Sequence, residues 1–280
     1  MQKRAIAVHD ISCVGRCSLT VALPILSAAG VNTTIIPTAL LSTHTGEFNG
    51  YTHLDLSDEL LPIAEHIASL KLPFDAFYSG YLASPAQVHQ VTEMISLLAD
   101  DNTHILVDPA FADHGRLYSL MDSAMPAQMQ KLCQRAHTIV PNRTEASFLL
   151  SKPYLYEGYE KSYISELALE LSALGPKNVI ISDVAFDPNQ TGIAVYQKGM
   201  AEPAFFFTPR YAGRFHGTGD VFASFLLAGL LNSQSLLSAA QLALRLTHET
   251  IVQTLADHQP LRYGVQFERV LPMLISELNA

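Results

Sequence analysis

The chain of 280 residues is poor in the features that mark secreted, membrane or nucleic-acid-binding proteins. Its three cysteines are Cys13, Cys17 and Cys133. An odd, sparse set does not build a disulfide framework and fits a reducing compartment. Charged residues make up only 15 %, and 17 bases against 26 acids leave a net charge of −9. With no basic run, neither nucleic acid nor an anionic membrane is the expected partner. The first apolar stretch is interrupted by His9-Asp10, too soon for a signal peptide or a membrane span. The expectation is a cytoplasmic protein. No Gly/Ser/Pro linker and no internal repeat divides the chain, so residues 1–280 are read as one domain.

What is present is apolar sequence in short, alternating blocks. Hydrophobic residues reach 49 %, enough for a large core. β-type runs are expected at 5–8, 33–41, 76–79, 105–107, 138–140 and 179–182, with a hairpin at 193–197 and 204–208. Helical patterns are expected at 18–29, 85–99, 124–135, 144–150, 162–174, 221–231, 236–256 and 265–278. This alternation predicts an α/β fold, a mostly parallel central sheet with helices on both faces. In such sheets ligands sit beyond the carboxyl ends of the strands. The polar residues there are His9-Asp10, Ser79-Gly80-Tyr81, Asp108-Pro109, Asn142 with Glu145, and Ser182-Asp183.

The most informative stretch is Gly217-Thr218-Gly219-Asp220, set between an aromatic, polar loop ending in Phe215-His216 and the apolar run 221–231. A Gly-rich turn opening a helix offers free N–H groups and the positive end of the helix dipole, an anion site. A carboxylate at its edge repels a simple phosphate but suits a base that takes a proton from an attacking hydroxyl. The pair suggests phosphoryl transfer to an alcohol; the plainer reading is a glycine turn with an ordinary first-turn Asp. Asp108, Asp113, Asn142 and Glu145 could serve Mg²⁺ and phosphate, or Asp108 and Asn142 could simply cap turns and helices. Ser42-Thr43-His44-Thr45-Gly46 is either a ligand-reading loop or a polar turn, and Tyr81 either stacks on a flat ring or fills the core. His9, Cys13 and Cys17, spaced by four, are read as packing: no fourth ligand accompanies them and Gly15 interrupts a helix.

Together these segments resemble the ribokinase-like superfamily and, within it, the vitamin B6 kinases, over nearly the whole chain. Ser42-Thr43-His44-Thr45 is similar to the Ser-Asn-His-Thr stretch of pyridoxal kinases, and Ser79-Gly80-Tyr81-Leu82 to their Ser-Gly-Tyr-Leu. Asp108-Pro109 with Asp113 resembles the family's Asp-Pro segment, and Pro141-Asn142-x-x-Glu145 its Pro-Asn-x-x-Glu. The start, His9-Asp10-Ile11-Ser12-x-x-Gly15-Arg16-Cys17-Ser18, is most similar to the pyridoxal or pyridoxamine kinases of Gram-positive bacteria.

The resemblance implies ATP, Mg²⁺, often a monovalent cation such as K⁺, a homodimer, and phosphorylation of the 5′-hydroxymethyl group of a vitamin B6 vitamer. It implies Asp220 as base, with Gly217, Thr218 and Gly219 as the anion hole. Asp108 and Glu145 would serve the metal. Asp108, Asp113, Asn142, Glu145, Ser182, Phe215 and Gly217 would line the nucleotide. Asp10, Ser12, Thr45 and Tyr81 would hold the pyridine. Many pyridoxal kinases carry Ser where Asp10 aligns, which leaves the ranking of vitamers open. Hydroxymethylpyrimidine kinase activity and a non-catalytic vitamin-binding protein of the same fold are the alternatives.

Overall fold

Strands buried on both faces need near-continuous apolar runs, and this chain supplies one every few tens of residues. The computed structural model describes residues 2–118 and 121–279. Its strands are β1 (Arg4–Val14), β2 (Asn32–Thr43), β3 (His53–Asp55), β4 (Ala76–Ser79), β5 (His104–Val107), β6 (Ala112–Asp113), β7 (Arg116–Leu117), β8 (Thr138–Ile139), β9 (Asn178–Val184), β10 (Gln190–Gln197) and β11 (Ala204–Pro209). Nine of them form one sheet in the order β11-β10-β9-β8-β5-β4-β1-β2-β3, and β6 pairs with β7 as a separate ribbon. Pairing is parallel from β2 through β1, β4, β5 and β8 to β9. The edges are antiparallel: β3 on β2 at one side, the β10–β11 hairpin on β9 at the other.

The helices are α1 (Leu19–Ala28), α2 (Ser57–Ser69), α3 (Pro85–Leu98), α4 (Met125–Gln134), α5 (Arg143–Leu149), α6 (Lys161–Ala173), α7 (Thr218–Leu231), α8 (Leu236–Ala256) and α9 (Leu271–Leu278). Strand side chains alternate between two cores. Ile6, Val8, Phe77, Ile105 and Val107 pack against α2 to α6. Ala5, Tyr78, Leu106 and Ile180 pack against α1, α7, α8 and α9. Helices therefore cover both faces, as the alternation predicts. From β1 the chain moves outward to β2, whereas β4 lies on the other side of β1. The carboxyl ends of β1 and β4 thus flank a topological switch point, where a crevice opens.

Three sequence expectations are corrected. β1 does not end before His9 but continues to Val14, with a register irregularity between His9 and Ile11; Asp10 sits at this bulge, inside the strand. α2 was not foreseen, because Pro62 interrupts its pattern and only Leu60 and Ala64 are fully buried. The stretch 265–278 is not one helix. Short 3₁₀ turns at Leu261–Tyr263 and Phe267–Arg269 precede α9. α9 starts where Pro272 falls in its first turn, a position that needs no N–H donor.

α7 carries the glycine motif and is enclosed almost all round: ten of its 14 residues are buried, including Phe222, Ser224 and Phe225. The site at its N-terminus is therefore fixed by core packing. Phe225 is fully buried. Phe225→Ala is expected to lower unfolding free energy by about 3–5 kcal/mol in urea denaturation; a loss below about 1 kcal/mol would mean that α7 is not held this way.

Candidate active site

α7 begins without a side-chain cap. Its N-cap is Gly217, with φ of 80°, and Thr218 turns its hydroxyl back to donate to the Phe215 carbonyl at 3.0 Å. The first-turn N–H groups of Thr218, Gly219 and Asp220 have no intrahelical acceptor. They form a donor cluster at the positive end of the helix dipole. Glycine is required at 217 twice over: φ is positive, and a Cβ there would collide with the Arg16 carbonyl oxygen. At Gly219 a Cβ would lie 3.8 Å from Asp108 Oδ2. The anion cradle and the acid after β5 are thus neighbours.

Four carboxylates shape the electrostatics here. Asp220 is partly buried, and desolvation, helped by the charge of Asp10, pushes its carboxyl up to about 7; the Ser18 backbone N–H opposes the shift. Asp108 is raised well above the usual range, by burial first and by Asp220 second. Glu145 is raised by burial and then by Asp108. Asp10 is raised by burial, against hydrogen bonds from Ser18 and Ser12. Among the described residues none of the four forms a salt bridge. A cluster of buried acids without a cation binds protons or a metal. No group of three or more His, Cys, Asp or Glu side chains is arranged to hold an ion by itself among the described residues. Asp108 and Glu145 instead fit the Mg²⁺ pattern of one or two carboxylates completed by waters and substrate phosphates.

Asp10 is held at the β1 bulge by Ser18 Oγ, which donates at 2.5 Å, and Ser12 Oγ, which donates at 3.3 Å. Ser18 sits at the N-cap of α1 with φ of 52°, an uncommon conformation for a residue other than glycine. From there its hydroxyl serves Asp10, and its backbone N–H acts to lower the proton affinity of Asp220. Tyr81 stands partly buried beside Asp10 and Tyr51; burial and then the two neighbours push its phenol up to about 12. Thr45 is exposed, while the adjacent His44 is buried. His44 Nδ1 accepts from the Gly46 N–H at 3.1 Å, so Nε2 carries the proton and donates to the Arg262 carbonyl at 2.6 Å. The His44 and His216 rings lie 5.0 Å apart. The loop bearing Thr45 is thereby tied to the residue just before the anion cradle.

Asn142 and Glu145 form a capping box at the start of α5. Asn142 Oδ1 accepts from the Glu145 N–H at 2.9 Å, and Glu145 Oε2 accepts from the Asn142 N–H at 2.8 Å. Glu145 Oε1 accepts from Phe111 and Ala112, fixing the loop after Asp108. The capping reading of this motif therefore holds, and the Glu145 carboxylate stays buried beside Asp108. The Ser182 N–H donates to the Pro141 carbonyl, and Asp183 pairs with buried Arg143 at 3.0 Å. Asp113 lies exposed on the β6–β7 ribbon. Phe215 packs against the α7 side of the core.

The structure brings Asp10, Ser12, Tyr81, Asp108 and Asp220 to one end of the sheet, around the switch point. His9, Cys13 and Cys17 are not joined as a ligand set: His9 is buried and Cys13 is exposed. Two neighbours were missed by sequence reasoning. Ser18 carried the signal of a Ser just ahead of an apolar helix. Tyr118 is 39 % exposed and stands near Glu145, Asp113, Asp108 and Asp220; nothing local in the sequence marks it.

The profile of the phosphomethylpyrimidine kinase family matches residues 23–262. A Bacteroides thetaiotaomicron protein carrying that family name, crystallised with pyridoxal, is 36 % identical. It superposes with a TM-score of 0.93 over 98 % of this chain and 96 % of its own. Pyridoxal kinase from Lactobacillus plantarum is 28 % identical, with a TM-score of 0.90 over 99 % of this chain and 98 % of its own. Pyridoxal kinase of Bos taurus is 26 % identical over 228 residues, 72 % of this chain and 69 % of the bovine one. The chain belongs to the phosphomethylpyrimidine kinase family, the ribokinase-like group that includes the pyridoxal kinases.

Proposed function

We propose that this protein transfers the γ-phosphoryl group of ATP to the 5′-hydroxymethyl group of pyridoxal, pyridoxine or pyridoxamine, forming pyridoxal 5′-phosphate or its analogue. The observation that carries this reading is Asp220, a carboxylate of raised proton affinity at the edge of an uncapped helix N-terminus. The pyridoxal-bound relative, 36 % identical over nearly the full length, supports the vitamer. Hydroxymethylpyrimidine offers the same alcohol on a similar flat ring, and the family name favours it as the second reading. A non-catalytic binder would have no use for Asp220. We also propose a homodimer acting in the cytoplasm; no described helix is long and apolar enough to cross a membrane.

In this mechanism Asp220 takes the proton of the substrate hydroxyl as its oxygen bonds to the γ-phosphorus. The bond to the β-phosphate oxygen breaks and ADP leaves. The N–H groups of residues 218–220 stabilise charge on the transferred group. Asp108 would hold Mg²⁺ and Glu145 would support it through the loop it fixes; when bound, the ion would supply neutralisation of the charge on the phosphates. Asp113, Asn142, Ser182 and Phe215 lie on the nucleotide side. Asp10, Ser12, Thr45 and Tyr81 hold the pyridine, with Tyr81 stacking on the ring.

Asp220→Asn keeps size but accepts no proton. It is expected to lower kcat by about 10²–10⁴ while ATP still binds. In the wild type, kcat/KM for the vitamer should rise with pH through a limb near 7, as the Asp220 carboxyl loses its proton. The variant should lack that limb. Wild-type turnover in Asp220→Asn would remove it from the mechanism.

Glu145→Gln removes the charge and one acceptor for the Asn142 or Phe111 N–H. Titration of activity with Mg²⁺ should show a requirement raised about ten- to hundredfold, with vitamer affinity little changed. Unaltered Mg²⁺ dependence alongside lost vitamer affinity would contradict the assignment.

Asp10→Ser should move the ratio of kcat/KM for pyridoxamine over pyridoxal toward pyridoxal. A hydrogen bond to a charged group contributes about 1.5–3 kcal/mol, so the change should be about tenfold or more. A constant ratio across wild type and variant would make Asp10 a structural partner of Ser18 only.

A further inference from the structure

Arg143, the first residue of α5, is a buried cation outside the catalytic set. Its side chain is 7 % exposed. A guanidinium has five N–H donors, and here all of them are engaged inside the protein. Nε donates to the Asp183 carbonyl, and Nη2 donates to Asp183 Oδ2 at 3.0 Å and to the Tyr154 hydroxyl at 3.3 Å. Nη1 donates to the carbonyls of Leu155 at 3.0 Å and Tyr156 at 3.5 Å. The guanidinium also lies over two rings, 4.3 Å from the centre of Tyr159 and 5.4 Å from that of Tyr154. With every donor committed, none is left for a phosphate. Arg143 acts on the chain.

The segment it grips is irregular. Ile181 pairs with Ala194 and Val184 with Gly192, so β9 takes three residue steps where β10 takes two. The extra residue makes a bulge at Ser182-Asp183. Asp183 has φ of 57°, in the left-handed region, which is uncommon outside glycine. Such a conformation persists where the surroundings enforce it, and bulges beside active sites re-aim a side chain. Here Arg143 bonds both the carbonyl and the carboxylate of Asp183, and the Tyr159 hydroxyl accepts from the Ala185 N–H at 2.9 Å. On the other side of the bulge, the Ser182 N–H donates to the Pro141 carbonyl at 2.9 Å, and Ser182 bridges to Asn142. The start of α5 also reaches the β6–β7 turn. Thr144 Oγ1 accepts from the Gly115 N–H at 3.0 Å, and Asn142 Nδ2 donates to the Ala112 carbonyl at 2.8 Å. A Cβ on Gly115 would stand 2.8 Å from Tyr154 Cδ1. Three loops, 112–115, 154–159 and 182–185, therefore meet around Arg143.

We propose that Arg143 is a positioning residue for the nucleotide: it pins the β9 bulge to the 154–159 loop and so sets Ser182 in place for the phosphates of ATP. The proposal rests on the kinase reading above, which puts Ser182 and Asp113 on the nucleotide side. Lysine is no substitute at this position, because one ammonium cannot reproduce a planar fork that serves Asp183, Tyr154 and Leu155 together. The bonds of Arg143 run to Asp183 and to the loop 154–156, and none runs to Asp10, Ser12, Thr45 or Tyr81. Its loss should therefore fall on the nucleotide and spare the vitamer.

Arg143→Lys and Tyr159→Phe are compared with wild type by calorimetric titration with ADP and Mg²⁺, by steady-state kinetics with ATP and pyridoxal varied in turn, and by thermal unfolding. Tyr159→Phe keeps the ring under the guanidinium and removes only the acceptor for the Ala185 N–H. Kd for ADP and KM for ATP should rise about tenfold in Arg143→Lys and about threefold in Tyr159→Phe, the range of one hydrogen bond. KM for pyridoxal should not change. A lowered Tm with wild-type nucleotide affinity in Arg143→Lys overturns the proposal, because a purely structural cation would give that result. Equal rises in KM for ATP and for pyridoxal overturn it as well, as the mark of general distortion. If Arg143→Lys does not fold, the same outcomes in Tyr159→Phe decide. A wild-type protein that binds ADP but does not phosphorylate pyridoxal defeats the vitamer reading alone, and the ADP titration still decides Arg143. A wild-type protein that binds no ADP defeats the kinase reading and this proposal with it.

Discussion

The organising constraint of this protein is the crowding of acids at the carboxyl end of its sheet. Asp10, Asp108, Glu145 and Asp220 arrive from separate segments, and each of the last three is raised in proton affinity by burial and by another of the four. Buried like charges cannot all ionise without compensation. Much of the local architecture supplies it in part. Ser18 takes an uncommon backbone conformation and donates its hydroxyl to Asp10, and Glu145 receives three backbone N–H groups. What remains uncompensated is the demand for a proton or a cation, and on the proposed reading Asp220 would meet it with the substrate's proton and Asp108 and Glu145 with a metal ion.

Packing makes that crowding possible. The Arg16–Cys17 backbone passes so close to α7 that only glycine fits at 217. Gly264 approaches the same Arg16 from another segment, where a Cβ would stand 2.7 Å from its carbonyl oxygen. These close approaches bring the start of α1, and with it Ser18, against the start of α7. The loop carrying His44 and Thr45 is fastened to the same region by the bond from His44 to Arg262. Parts of the pocket far apart in sequence are therefore locked to one another by backbone contacts.

Much of this was legible in the sequence where the signal is local. The β–α junctions announce themselves: Gly217–Asp220 before an apolar run, Asn142-x-x-Glu145 before α5, Asp108-Pro109 after a strand. The strand–helix alternation gave the parallel centre of the sheet and its flanking helices. Signals failed where the determining contact is long-range or a local cue misleads. Asp10 looked like a residue beyond β1 because a bulge inside a strand has no sequence mark. Pro62 concealed α2, and the 3₁₀ turn at Phe267–Arg269 with Pro272 behind it broke the expected C-terminal helix. Tyr118, His9 and Arg143 gain their surroundings only when distant strands and loops come together.

The central claim is that this acidic crevice phosphorylates the hydroxymethyl group of a pyridine. The most direct measurement is ligand-dependent ADP release with pyridoxal, pyridoxamine, pyridoxine and hydroxymethylpyrimidine assayed side by side under saturating ATP and Mg²⁺. The account predicts turnover with the three vitamers and the highest kcat/KM for one of them. A higher kcat/KM for hydroxymethylpyrimidine than for every vitamer, or no ligand-dependent ADP release at all, would contradict it.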